Sequence, residues 1–354
     1  MIKIEDIAKY ANVSKSAVSL ALNGKPGISQ QTRANILRIV KETGYVHRTS
    51  RTEKQHATGT ALRFVACTHA GIVLEHFNQQ PFFMELIHYI EDKCRKRGLS
   101  LLVHALPADE AEAGIAALEQ DQPSQGIILL GTNLTKLQVE ALAARHRNLI
   151  VLDTCHDTLS ANFVVMNNTQ GAHQAAGHLA EQGHKRIGLV QSQVRMHNFD
   201  ARKQGFLQAL ASAGQEVRDE DVFTVSPTVV TSQPDLVEAL RSRLEDLPTA
   251  LFCECDYIAI SVIKTLGELG LRVPHDISVV GFDNIHESVV ISPELTTIHV
   301  EKEAMAELAV ARLMEPASIM PGITSKTVVD TRLVVRKSSQ APPVASRGSV
   351  TAQP

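Results

Sequence analysis

The tightest constraint on this chain lies in its first 46 residues, where two stretches of helical periodicity are separated by only a tight turn. Ile4, Ile7, Ala8 and Ala11 recur at i, i+3, i+4 and i+7, which places four apolar groups on one face of a helix. Asn12 and Val13 interrupt it. Ser14 can then cap a second helix, because its hydroxyl accepts from amides a few residues on, and Ala17, Val18, Ala21 and Leu22 give that helix a buried stripe. So short a joint forces the two helices to cross steeply, which lets the second enter a major groove while the first spans the backbone. Turn formers at residues 23–27 end the second helix, and Ser29 caps a third that carries Ile36, Leu37, Ile39 and Val40. Periodicity, cap and turn predict a self-contained helix-turn-helix unit over residues 1–46.

Charge divides the chain near the same place. Residues 1–56 carry ten Lys or Arg against four acids, a net +6; the whole chain is −3, so the remainder carries −9. A basic head on an acidic body is what phosphate neutralisation at one end requires. The plainer alternative is a helical bundle whose basic face is merely solvated or binds protein.

These residues resemble a known family. Segment 4–19, with Asn23, Ile28-Ser29, Thr32-Arg33 and Gly44-Tyr45, is similar to the head of LacI/GalR-type transcriptional regulators. The resemblance implies base reading by Lys15, Ser16 and Leu20, and phosphate contacts from Ser14, Ser19, Asn23, Ser29 and Thr32. Helical geometry also gathers residues 16, 19, 20 and 23 on one face, opposite Val18 and Leu22. Many members of the family have Arg where this chain has Leu20. Arg grips a guanine edge bidentately, whereas Leu can only touch a thymine methyl or exclude a wrong base, so a shifted operator preference is expected.

Residues 47–61 read as a linker, polar and basic, with no aliphatic side chain larger than Ala57. The family usually writes Pro-Asn here, followed by a hinge helix whose Leu wedges into the minor groove; the matching positions hold His47 and Arg48, with Lys54 near the wedge. Lys cannot unstack a base step. The expectation is therefore electrostatic minor-groove contact through Arg48, Arg51 and Lys54, less bent DNA, or a plain tether.

The remaining residues suffice for two lobes with real cores, at 44% hydrophobic for the chain as a whole. No apolar run is long enough to span a bilayer and the chain opens on a capped polar helix, which predicts a cytoplasmic protein with no membrane partner; the resemblance further implies a bacterial-type, nucleoid-associated one. Cys67, Cys94, Cys155, Cys253 and Cys255 fall mostly in apolar runs, where a thiol behaves as a small hydrophobe. Cys253 and Cys255 have no second pair or His cluster at ligand spacing, so no metal or other cofactor is expected.

Beyond the linker, short apolar runs alternate with amphipathic stretches. Runs at 64–67, 101–103, 127–130 and 149–152 interleave with helical periodicity at 82–97, 110–120 and 135–144. A second series has helices at 171–182, 200–213, 234–244 and 257–269 among runs at 187–190, 222–225, 250–253 and 278–282. Alternation of this kind predicts an α/β fold with parallel sheets wrapped on both faces, and two series predict two doubly wound lobes. The boundaries expected are an effector-binding unit at 62–337, with lobe 1 at about 62–166 and 299–316 and lobe 2 at about 167–298 and 326–337, then a disordered tail at 338–354.

Ligands in such sheets bind at the carboxyl ends of the strands, and with two lobes in the cleft between them. Asp153, Asp256 and Asp283 each follow an apolar run, Arg202 opens a helix after 187–190, and Phe82-Phe83 follows a long loop. Carboxylates and a guanidinium fork satisfy paired hydroxyls, and an aromatic face packs on a sugar ring, so the set suits a polyol better than a phosphate-bearing metabolite.

The body extends the resemblance. Residues 202–206 are similar to an Arg-x-x-Gly-Phe element, which makes Arg202 the effector-clamping Arg; Cys255-Asp256 is similar to an Asn-Asp pair; 279–284 with 292–297 is similar to one of the family's most recognisable segments. The departures are Cys255 for Asn, Asn167-Asn168 for Asp-Asn, and a longer loop at 68–80 whose His69 and His76 are placed to line or cover the cleft. The resemblance implies a periplasmic-binding-protein-like body and a homodimer built through it. A head this small covers a half-site, so the operator is expected to be palindromic. No leucine heptad in the tail ties dimers into tetramers.

The function expected is sequence-specific repression of carbohydrate-utilisation genes, with operator affinity changed by a small sugar between the lobes. A sugar-responsive activator is the near alternative. A sugar-binding or sugar-modifying enzyme on the same fold is the distant one, and the chain has no Gly-x-Gly-x-x-Gly after its first strand, no Walker-type lysine loop and no Gly-x-Ser-x-Gly elbow to support it.

Overall fold

The structure is a computed structural model that describes residues 4–22, 27–43, 61–69, 71–74, 76–315 and 322–342. It divides into two compact units, 1–58 and 59–354.

In the first unit, α1 (Ile4–Tyr10), α2 (Lys15–Leu22) and α3 (Gln30–Thr43) close on Ile7, Ala8, Ala11, Val18, Ala21, Ile36 and Ile39. Asn12 takes a left-handed φ of 49° in the turn between α1 and α2, a conformation Asn tolerates better than most residues. The caps form at the serines the spacing indicates: Ser14 Oγ accepts the Ala17 N–H at 3.2 Å and Ser29 Oγ accepts the Thr32 N–H at 3.1 Å. Arg33 donates to the carbonyls of Leu20 and Ala21 at 3.2 and 3.1 Å, which satisfies groups the end of α2 leaves open. Leu37 points to solvent, because the stripe set by Ile36 and Ile39 lies on another face of α3. Asn23 and the linker positions Arg48, Arg51 and Lys54 lie outside the described residues.

The second unit runs β1 (Ala61–Thr68), α4 (Pro81–Lys96), β2 (Ser100–Pro107), α5 (Ala111–Asp121), β3 (Ile127–Leu130), α6 (Lys136–Arg145), β4 (Leu149–Leu152), β5 (Asn162–Met166), α7 (Asn168–Glu181), β6 (Ile187–Ser192), α8 (His197–Ser212), β7 (Val222–Val225), α9 (Pro234–Arg241), β8 (Ala250–Cys253), α10 (Asp256–Glu268), β9 (Ser278–Asp283), α11 (Glu287–Val290), β10 (Thr296–His299), α12 (Lys302–Met314), β11 (Lys326–Val329) and β12 (Arg332–Val334). They form two six-stranded sheets, β11-β5-β4-β3-β1-β2 in lobe 1 and β12-β10-β9-β8-β6-β7 in lobe 2. Strands β3, β4, β8 and β9 are buried along their whole length, which is why they read as continuous apolar runs rather than alternating ones.

Two boundaries differ from the sequence reading. Residues 326–329, assigned by sequence to lobe 2, pair in parallel with β5 of lobe 1; only β12 joins lobe 2, antiparallel to β10. As an edge strand β11 is half exposed and carries little apolar signal of its own. The tail is also ordered further than its composition suggests. Ser338 is fully buried: its Oγ donates to the Val279 carbonyl at 2.6 Å and accepts the Thr296 N–H at 2.8 Å, while the Gln340 carbonyl lies 2.9 Å from His184 Nε2. Short hydroxyl side chains suit a loop as well as a buried ladder, and only the neighbouring strands distinguish the two. Residues 343–354 lie outside the described residues.

The chain crosses between lobes after β5, after β10 and between β11 and β12, and α12 packs on α4 of lobe 1. In lobe 2, α7 and α8 approach so closely that a Cβ on Gly205 would overlap the Thr169 carbonyl.

Candidate effector cavity and nucleic-acid interface

At the carboxyl ends of the strands a narrow cavity of about 40 Å³ lies between the lobes, lined by Phe82, Phe83, Asp153, Arg202 and Asp283 among others. Pro81 takes the first position of α4, where its missing N–H costs nothing, and so delivers Phe82 and Phe83 to the cavity edge-to-face, their ring centroids 5.4 Å apart.

Arg202, buried on α8, is held from every side. Its Nε donates to Asn168 Oδ1 at 2.9 Å, Nη1 to the Glu254 carbonyl at 2.6 Å and Nη2 to Asp283 Oδ1 at 3.0 Å, and its carbon lies 3.7 Å from the centroid of the Phe282 ring. A guanidinium so placed keeps one N–H on each terminal nitrogen for a ligand. Asp283 ends β9 at a φ of 114°, a strained conformation for a non-glycine residue. Burial raises its pKa, opposed by the charges of Arg202 and Lys302.

Asp153 follows β4 in lobe 1, also at positive φ (62°). Its Oδ2 accepts from Thr132 Oγ1 at 2.5 Å and its Oδ1 from Asn198 Nδ2 of lobe 2 at 2.9 Å. Burial pushes its carboxyl up to about 6. Asn198 Oδ1 in turn accepts from Asn168 Nδ2 at 3.0 Å. One network therefore runs Asp153, Asn198, Asn168, Arg202, Asp283 across the cleft.

Two of these residues escape the sequence reading: Asn198 altogether, and Asn168 except as a departure from Asp-Asn. The available signal was that Asn198 stands four residues before Arg202, on the same face of α8. Tyr257 is a further addition; its hydroxyl accepts the Phe82 N–H across the cleft at 3.4 Å, and it lines the cavity with Cys255.

Asp256 does not line the cavity and is corrected. It begins α10 fully buried, with Oδ1 accepting from Thr297 Oγ1 at 2.5 Å and Oδ2 from the Ile285 N–H at 2.9 Å, so it ties α10 to β9 and β10 inside lobe 2. Burial pushes its carboxyl up to about 8. The two histidines of the 68–80 loop also lie elsewhere: His69 is exposed and His76 borders a shallow depression beside residues 103–105, while Ile72 and Gln80 supply the loop's cavity wall.

In the head, Ser14, Lys15, Ser16 and Ser29 are exposed, and Ser19, Leu20 and Thr32 half-buried. Lys15 Nζ pairs with Glu5 Oε1 at 2.5 Å on the surface, an interaction weak enough to be exchanged for a phosphate. The Leu20 side chain folds over the turn, with Cδ1 only 3.2 Å from where a Cβ on Gly27 would stand.

A helix-turn-helix head and a two-lobed body whose cavity gathers groups from both sheets define a ligand-responsive DNA-binding regulator. Residues 3–47 match the model for bacterial regulatory proteins of the lacI family, and residues 176–339 that for a periplasmic binding protein-like domain. The chain is 30% identical over 324 residues, 89% of this chain and 92% of the other, to the HTH-type transcriptional repressor PurR of Aliivibrio salmonicida. It is 30% identical over 320 residues, 89% and 90% of the two chains, to PurR of Yersinia pestis bv. Antiqua. Among solved structures, the transcriptional regulator CelR–cellobiose complex matches with a TM-score of 0.66 at 23% identity, covering 96% of this chain and 100% of that one. The lac repressor dimer bound to operator and the anti-inducer ONPF matches with a TM-score of 0.68 at 23% identity, covering 96% and 99%. The chain belongs to the lacI family and is a DNA-binding transcriptional repressor with an effector-binding sensor domain.

Proposed function

We propose that the cavity takes a neutral sugar, and that its occupancy changes how two heads of a homodimer sit on a palindromic operator of carbohydrate-utilisation genes. The observation that carries this reading is the network from Asp153 to Asp283. It presents carboxylate acceptors and the remaining N–H groups of Arg202 to the cavity beside Phe82 and Phe83, the pattern that vicinal hydroxyls and a ring face require. One guanidinium against two carboxylates opposes an anionic ligand. The cellobiose bound to CelR is consistent with this choice.

A purine is the second reading, favoured by the PurR relatives and by the aromatic wall, which would stack a base equally well. Calorimetric titration of cellobiose, ribose and hypoxanthine, with operator binding followed in parallel, decides between them; hypoxanthine bound and both sugars rejected would overturn the sugar reading.

Ser14, Lys15, Ser16, Ser19, Leu20, Asn23, Ser29 and Thr32 are the proposed operator contacts, with Arg48, Arg51 and Lys54 reaching from a linker at 47–61. Exposed apolar groups at Met84, Val289 and Val290 of the body suit a dimer face. Coupling between cavity and head in such systems corresponds to ~1–3 kcal/mol. The protein acts by binding rather than turnover, and in the cytoplasm; among the described residues no helix is long and apolar enough to cross a membrane.

A further inference from the structure

Lys302 is a buried ammonium that meets the network described above at Asp283 alone among its members. It is 3% exposed, at the first position of α12, where the chain has just crossed from lobe 2 to lobe 1. Its Nζ donates to the Asp283 carbonyl at 3.1 Å, pairs with Glu85 Oε2 at 3.0 Å and stands 5.4 Å from the centroid of the Phe82 ring. Glu85 and Phe82 belong to α4 of lobe 1, and Asp283 ends β9 of lobe 2. Phe82 and Asp283 both line the cavity.

A cation is the wrong charge for the start of a helix, where the peptide dipoles favour an anion. Burial adds a desolvation penalty that only close partners offset. An apolar side chain would fill the same space without either cost, so packing alone does not account for a lysine here. Its three partners do: a carboxylate, a carbonyl and an aromatic face, which together satisfy an ammonium with protons to donate and no acceptor of its own.

We propose that Lys302 is a positioning residue for effector binding, a single buried cation at the lobe crossing that holds Phe82 of one lobe and Asp283 of the other in their cavity-lining places. The two halves of the cavity are thereby brought to register by one group that need not touch the ligand. This rests on the cavity being the effector site.

Hydrogen exchange on the full-length, ligand-free protein tests it. Lys302→Met is expected to speed exchange about tenfold in peptides covering both 82–86 and 283–286, with β6 and β8 unchanged. Glu85→Gln should speed only the first segment, and Lys302→Arg, which restores the charge, should leave both protected. Unchanged exchange in Lys302→Met, or a uniform rise over both sheets, overturns the proposal. If that variant does not fold, Glu85→Gln decides, and exchange in 82–86 equal to wild type overturns it.

Titration of cellobiose, ribose and hypoxanthine separates this idea from the cavity reading. The exchange pattern with none of them bound by wild type overturns the cavity reading, and the effector role of Lys302 with it. A bound compound whose affinity is unchanged in Lys302→Met overturns the role of Lys302 alone.

Discussion

Lobe 1 and lobe 2 order their first five strands alike, β2-β1-β3-β4-β5 and β7-β6-β8-β9-β10, yet they meet the cavity with different chemistry. Lobe 1 presents Ile72, Phe82 and Phe83 with a single carboxylate, Asp153; lobe 2 presents Arg202, Asn198, Asp283 and Tyr257. Most of the polar half is bonded within its own lobe, Arg202 to Asn168, Asp283 and the Glu254 carbonyl, so lobe 2 is set in place before any ligand arrives. Among the described residues, side-chain bonds across the cleft include Asp153 to Asn198, the Phe82 amide to Tyr257 and Lys302 to the Asp283 carbonyl. A rigid polar lobe facing an apolar one through such bonds is a pair that a ligand of modest differential affinity can open or close.

The comparison breaks most sharply at the α7–α8 crossing. Gly205→Ala places a Cβ into the Thr169 carbonyl and is expected to cost about 3 kcal/mol or more. Gly177→Ala, on α7 with open space around it, should be neutral or stabilising by about 0.5–1 kcal/mol. Thermal denaturation of both separates backbone contact from helix propensity, and equal midpoints would refute the packing argument.

Next is Arg202→Ala, which leaves Asp283 buried without its partner. Effector affinity should fall at least about 100-fold while binding to the operator without effector stays near wild type. Titration of effector against operator-bound protein checks this, and wild-type affinity in the variant would show that lobe 2 does not hold the polar half of the site.

The two buried acids sharpen the contrast by pH. An acid whose folded pKa is raised keeps its proton in the folded state where the unfolded chain has lost it, so its contribution declines as pH rises between the two values. For Asp256 that window runs from about 4 to about 8. Asp256→Asn should flatten the fall in melting temperature over this range, and parallel profiles would contradict the assignment. Asp153, pushed up to about 6, becomes a donor below that pH, so effector binding should weaken there and Asp153→Asn should remove the dependence.

The smallest effect is expected in the head. Leu20→Arg should gain ~1 kcal/mol or somewhat more at one base pair of the half-site by offering a guanine a bidentate partner. Selection of operators from random DNA by both proteins reads this out; identical sites would remove Leu20 from recognition.

Legibility followed distance along the chain. The caps at Ser14 and Ser29 lie within three residues of the amides they satisfy, so local spacing reveals them. Phe82, Phe83, Asp153, Arg202 and Asp283 follow from the rule that strand ends converge. Asp256 obeys the same rule and still turns inward, because Thr297 Oγ1 and the Ile285 amide claim both its oxygens while Cys255 and Tyr257 on either side take the cavity wall. Asn198 and Lys302 carry no local signal, since what they do depends on partners far away in the chain. Strand β11 was misplaced for the same reason: an edge strand with little burial does not announce which sheet it joins.

By itself the sequence determined the helix-turn-helix head, the alternation that makes two parallel-sheet lobes, and the strand ends that border the cavity, because caps, periodicity and charge act over a few residues. Only the tertiary structure decided which side chain at each strand end faces the cavity, which lobe receives β11, and that Arg202 and Asp283 belong to a network reaching Asp153. Those outcomes depend on burial and hydrogen-bond partners brought together from distant segments, and no local pattern encodes who the neighbours will be.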